Sequence, residues 1–143
     1  MTIEQISVFL ENKPGTMAEL TGVLSRNGVD MRALSLAETS DFGIARIITD
    51  NAYNTMQELK KEGYICSATK VLAVAIPDEP GALDKVIRCL GDHGINVEYM
   101  YAFTARKKDM AYMIFRVEDN ERAIQVLSKN GIKLVCQEDL NKI

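Results

Sequence analysis

A polar residue, a spacer and a Pro-Gly pair occur twice in the chain, as Asn12-Lys13-Pro14-Gly15 and as Asp78-Glu79-Pro80-Gly81. Each stands where a strand-like alternation gives way to a helical pattern. Proline suits a first helical position, whose N–H lacks a partner in any case. Glycine beside it lets another group come close to the backbone. First-turn N–H groups point out of the helix and its dipole favours negative charge, so such a junction can hold an anion. A carboxylate of a small molecule is a natural guest, and Asn or Asp oxygens nearby can accept from an ammonium. One Pro-Gly pair alone is most simply a turn. Here the pair recurs with a polar residue before it each time, and with Asp30 or Asn96 after the helix.

Few other residues form a pattern that could carry a reaction. His93 is the only histidine, and Cys66, Cys89 and Cys136 show no CxxC spacing. A zinc site, a disulfide framework or a Cys–His nucleophile pair is hard to assemble from that set. The cysteines read as small buried hydrophobes of a reducing compartment. They also fall at non-equivalent places in the repeat described below. There is no phosphate loop and no conspicuous carboxylate pair, so catalysis, cofactors and metals are not expected.

The 143 residues carry 17 Lys and Arg against 20 Asp and Glu, a formal charge of −3. That balance argues against a nucleic-acid or anionic-membrane binder, both of which need a dense basic face. No charged-then-apolar leader opens the sequence and no apolar run approaches a membrane span, so a cytoplasmic location is expected. The hydrophobic share of 47 % is ample for a core.

The elements that must position the two loops are themselves repeated. Pro14-Gly15 matches Pro80-Gly81, and Asn27-Gly28-Val29-Asp30 matches His93-Gly94-Ile95-Asn96, at an offset of 66. From Asp41 onward the offset is 68, pairing Ile47 with Phe115, Leu59 with Leu127 and Gly63 with Gly131. The two extra residues fall beside Arg106-Lys107-Lys108, which reads as a solvated hairpin turn, where an insertion is tolerated. This is a tandem duplication.

Each copy predicts the same order. A strand (about 3–10 and 70–77) alternates Ile6, Val8, Leu10 or Leu72, Val74, Ile76. A helix follows (about 15–27 and 81–92), with a stripe of Met17, Leu20, Leu24 or Leu83, Val86, Ile87, Leu90, and a glycine at its end. Two strands then form a hairpin (about 30–38 with 42–49, and 96–104 with 110–117). A second helix starts at the Asp50-Asn51 or Asp119-Asn120 cap candidates and stops at Gly63 or Gly131. A short strand closes each unit (about 64–68 and 132–137). The order βαββαβ is the ferredoxin-like split unit, and the fold class is α+β: two tandem units with antiparallel sheets and helices on one face. The units are 1–68 and 69–143. Residues 67–70 lack a Gly, Pro or Ser run, so the copies are expected to pack rather than hang on a flexible linker.

With these residues in place, "NKPGTM…NGVD" and "DEPGAL…HGIN" resemble the ACT domain, a small-molecule sensing module of amino-acid metabolism. The resemblance covers nearly the whole chain as two tandem copies. It implies a non-catalytic, allosteric regulatory protein without a catalytic domain in the chain, binding a free amino acid where two ACT units meet. By position, Asn12, Lys13, Gly15, Thr16 and Met17 would serve one site, and Asp78, Glu79, Gly81, Ala82 and Leu83 the other. Asp30 or Asn96 would reach across from the neighbouring unit, the Asn12 loop facing Asn96 and the Asp78 loop facing Asp30. Asp30 departs from the usual amide, which makes the two sites unequal. The implied partners are a small-molecule amino acid and a second copy or a metabolic enzyme.

Two other readings stand beside this one. RNA-recognition modules share the βαββαβ order but carry stacking aromatics on the third strand; here those strands read "GIARIIT" and "AYMIFRV". A docking subunit without a ligand of its own is the alternative, with Tyr99, Tyr101 and Phe103 as interface aromatics or, equally, as sheet packing.

Overall fold

A computed structural model describes residues 1–143, which divide into two compact units, Glu4–Thr69 and Lys70–Ile143 with Met1–Ile3. The N-terminal unit is built from β1 (Ile3–Glu11), α1 (Thr16–Arg26), β2 (Met31–Glu38), β3 (Phe42–Thr49) and α2 (Ala52–Lys61), and β4 (Ile65–Pro77) begins in it. The C-terminal unit holds the rest of β4, then α3 (Ala82–Asp92), β5 (Val97–Phe103), β6 (Met110–Val117), α4 (Asn120–Lys129), β7 (Lys133–Val135) and α5 (Gln137–Leu140).

The strand alternation read from the sequence sets the register. In the N-terminal unit β3 lies between β1 and β2, antiparallel to both, with Ala45 opposite Val8 on one side and Leu36 on the other. In the C-terminal unit β4 lies between β6 and β7, with Val74 opposite Met113 and Leu134, and β5 pairs with β6. Ile6, Val8 and Leu10 project from one face of β1 onto Leu20, Val23 and Leu24 of α1 and Leu59 of α2. Leu72, Val74 and Ile76 of β4 meet Val86, Leu90 and Leu127 in the same manner. Each such aliphatic side chain contributes about 1.5–3 kcal/mol when fully buried. Both helices of a unit therefore cover one face of its antiparallel sheet, and the chain is a tandem pair of ferredoxin-like βαββαβ units.

The capping candidates resolve to one residue per copy. Asn51 accepts from the Asn54 N–H at 3.0 Å, and Asp119 accepts from the Arg122 N–H at 3.1 Å.

The structure departs from the sequence reading in three places. The strands expected at 64–68 and 70–77 are one continuous β4, because nothing between Ser67 and Lys70 breaks an extended chain. The strand expected at 132–137 is only Lys133–Val135, and a one-turn helix α5 follows it. Its first turn carries Glu138 and Asp139, acids that suit a helix N-terminus. Finally, α1 and α3 start at Thr16 and Ala82, one residue later than expected, so Gly15 and Gly81 lie outside the helices as their N-caps. No helix is long and apolar enough to cross a membrane.

Candidate ligand-binding site

The late helix start has a local cause. Gly15 has φ 91° and ψ −16°, Gly81 has φ 91° and ψ −14°, and both are left-handed. The Lys13 carbonyl accepts from the Thr16 N–H at 3.4 Å, and the Glu79 carbonyl accepts from the Ala82 N–H at 3.3 Å. Proline second and a left-handed glycine third is the signature of a type II turn. The glycine is thus required by the backbone conformation itself. A Cβ at either position would meet nothing within 4 Å, so open space remains above both turns.

The turn leaves a set of donors free. The N–H groups of Gly15, Met17 and Ala18 find no acceptor in the chain, and neither do those of Gly81, Leu83 and Asp84. They sit at the start of α1 and α3, where the helix dipole adds positive potential.

A hinge between loop and hairpin is also repeated. The Asn12 N–H donates to the Asp41 carbonyl at 2.9 Å, and the Asp78 N–H donates to the Asp109 carbonyl at 3.0 Å. The copies then diverge. The Asn12 side-chain amide donates to Glu38 Oε2 at 3.1 Å and to the Thr39 carbonyl at 3.0 Å. The Thr16 hydroxyl donates to the carbonyls of Glu11 and Lys13, both at 3.0 Å, whereas Ala82 in the second copy has no hydroxyl. Lys13 pairs with Glu11 at 2.9 Å in solvent, and the hydrogen bond to that carboxylate holds its ammonium above the usual lysine range.

Asn12, Lys13, Gly15, Thr16 and Met17 line one cavity of about 400 Å³, together with Leu10, Glu11, Pro14, Leu36, Glu38 and Gly43. Asp30 is exposed just before β2 and is not part of its wall. Glu79, Gly81 and Ala82 line a larger concavity of about 670 Å³, which runs beside α3 to Asn130–Lys133. Asp78, Leu83 and Asn96 are not part of that wall, and Asn96 is exposed just before β5. The two Pro-Gly loops therefore front concavities on different sides of their units. Sequence reasoning missed Leu36 and Glu38 of β2 and Gly43 of β3. Their only signal is the glycine within an apolar strand run, which marks a close approach.

The remaining candidate groups lie apart from these cavities, except Cys89, which lines the larger one. Burial pushes the Cys66 and Cys89 thiols up, which keeps them protonated and weakly nucleophilic at neutral pH. The His93 Nδ1 lies 2.7 Å from the Cys89 carbonyl oxygen. No group of three or more His, Cys, Asp or Glu is placed to hold a metal ion. Arg106, Lys107 and Lys108 are exposed in the β5–β6 connection. Tyr101 and Phe103 are only 8 % and 7 % exposed, so they are packing residues and not an open docking patch.

A pair of βαββαβ units with repeated glycine-turned loops defines a class, and comparison with known proteins gives its family. The family model described as an ACT domain pair matches residues 1–143, and the chain belongs to that family. The crystal structure of protein BT0572 from Bacteroides thetaiotaomicron is 35 % identical, with a TM-score of 0.91 over 100 % of this chain and 98 % of that one. The ligand-free regulatory subunit of aspartate kinase from Thermus thermophilus is 16 % identical, with a TM-score of 0.66 over 88 % and 91 % of the two chains. The corresponding subunit from Thermus flavus is 17 % identical, with a TM-score of 0.60 over 88 % and 90 %. At that identity the Thermus structures share the fold. No curated protein matches the chain.

Proposed function

We propose that this chain is a non-catalytic sensor of a free α-amino acid that regulates an enzyme of amino-acid metabolism. One observation supports this most: Gly15 and Met17, whose N–H groups are unpartnered, line a cavity of about 400 Å³ together with Asn12. Backbone donors at a helix start suit a carboxylate, and a side-chain oxygen suits an ammonium. Asn12, Lys13, Gly15, Thr16 and Met17 form the principal site. Asp78, Glu79, Gly81, Ala82 and Leu83 form a weaker one, since two carboxylates, Asp78 and Asp30, would oppose the ligand's own. Asn96 or Asp30 of the unit that faces a loop completes it. The regulatory role carried by the Thermus subunits is proposed for this chain too.

A thermal-shift screen of the twenty amino acids tests the proposal. A ligand at 100 times its Kd adds about 2.7 kcal/mol, which is roughly 5–10 °C for a chain of this size. An unmoved melting temperature with all twenty at millimolar concentration overturns it.

A docking role without a ligand is the second reading, and one observation favours it. Phe9 and Phe42 are 48 % and 62 % exposed in the N-terminal unit, and their register places both on the sheet face away from the buried Val8 and Ala45. Exposed apolar side chains close together mark interaction surfaces. Capture of the same enzyme from lysate with and without the amino acid separates the two readings, because only a sensor changes its docking with ligand.

A further inference from the structure

We infer that Glu38 receives the ligand's ammonium, which gives the N-terminal unit both a carboxylate and an ammonium subsite. The inference rests on the amino-acid reading above and adds a residue that the reading does not contain. Glu38 lies at the end of β2 and lines the same cavity as Gly15 and Met17. Its Oε2 accepts from the Asn12 amide at 3.1 Å, and its Oε1 has no partner. Lys13 is the only cation lining the cavity, and it pairs with Glu11 instead. Glu38 is therefore an uncompensated carboxylate in the wall of a cavity that Gly15 and Met17, with their free N–H donors, also line.

The Asn12 geometry turns in the same direction. Both neighbours of its amide nitrogen, the Glu38 carboxylate and the Thr39 carbonyl, are pure acceptors, so only one orientation of the amide satisfies them. Its two N–H groups are spent and its Oδ1 is left without a partner. The cavity wall then holds both acceptors, Glu38 Oε1 and Asn12 Oδ1, and donors, the N–H groups of Gly15 and Met17. A zwitterion needs both kinds of group. The second copy carries Asp78 and Thr104 at these two places, so it lacks the arrangement.

The experiment uses calorimetry on the whole chain with the amino acid that gives the largest thermal shift, and with its des-amino analogue, the same carboxylic acid lacking the ammonium. Glu38→Gln keeps an oxygen for Asn12 and removes only the charge. Its affinity for the amino acid is expected to fall about 10- to 100-fold, the range for a hydrogen bond to a charged group. Affinity for the des-amino analogue is expected to stay within about twofold, a scatter well inside the effect sought. Glu38→Thr, which copies the second unit, should behave alike. Equal losses for both ligands would show that Glu38 only shapes the loop, and no loss for either would show that the ammonium lies elsewhere; each outcome overturns the inference. If no amino acid binds the unmodified chain, it is the sensor reading itself that fails.

Discussion

The Asn12 side-chain amide donates to Glu38 Oε2 at 3.1 Å, joining the Pro-Gly loop to a strand end 26 residues away. This bond and the Asn12 N–H to the Asp41 carbonyl fasten the loop to the β2–β3 turn from both its side chain and its backbone. In the second copy only the backbone bond, from Asp78 to Asp109, is repeated. Duplication supplied the same βαββαβ order twice, and divergence at a few residues made the two Pro-Gly loops different.

Gly15 separates backbone strain from ligand contact. A side chain at its φ of 91° costs about 1–2 kcal/mol, so Gly15→Ala should lower the melting temperature by several degrees. No atom lies within 4 Å of the added Cβ, and amino-acid binding should persist. Gly15→Asp should show the same melting loss and lose binding as well, through a carboxylate facing the ligand's own. Asp in a first helical turn would be harmless, but Gly15 precedes the helix, so a destabilised Gly15→Asp chain is the expected result. Equal binding by both variants would make the Pro-Gly pair a turn and nothing more.

Leu59 and Leu127 hold the same place in the two units and both are fully buried. Leu→Ala at either should cost about 2–5 kcal/mol, read as a shift in the denaturation midpoint. A cost below 1 kcal/mol at one of them would mean that its unit packs differently from its twin.

Stability should decline in alkali. Burial raises the Tyr64 hydroxyl and the Cys66 and Cys89 thiols above their usual ranges, with Glu19 and Glu62 adding to the Tyr64 effect. The unfolded chain then gives up these protons at a lower pH than the folded one. The stabilisation is complete below about pH 8.5, the ordinary cysteine value, and fades as pH rises through the native values. Urea midpoints should be close at pH 7 and 8 and lower at pH 10, and a Tyr64→Phe, Cys66→Ala, Cys89→Ala chain should fall less. Equal declines would assign the alkaline loss to other groups.

The repeat, the strand faces and the cap positions were legible because each follows from local periodicity. Ile6, Val8 and Leu10 alternate, and only a strand places them on one face. The type II turn was not read, although Pro-Gly is its signature, because the helical pattern that follows drew the boundary one residue too early. The β4 continuity was missed because two copies imply a junction, while the chain at Ser67–Lys70 needs no turn. Glu38 was out of reach. Its role depends on tertiary placement beside Asn12, and a single glutamate at a strand end carries no periodic signal.

Whether a ligand carboxylate rests on the first turn of α1 is best read from backbone amide shifts in a ¹H–¹⁵N titration of the whole chain with the amino acid that stabilises it most. The amide protons of Gly15, Met17 and Ala18 should move downfield together and saturate along one curve, since each gains an acceptor it lacks in the free chain. Those of Gly81, Leu83 and Asp84 should respond less and at higher concentration. Saturable binding that leaves Gly15, Met17 and Ala18 in place would contradict the account, because the ligand would then lie elsewhere.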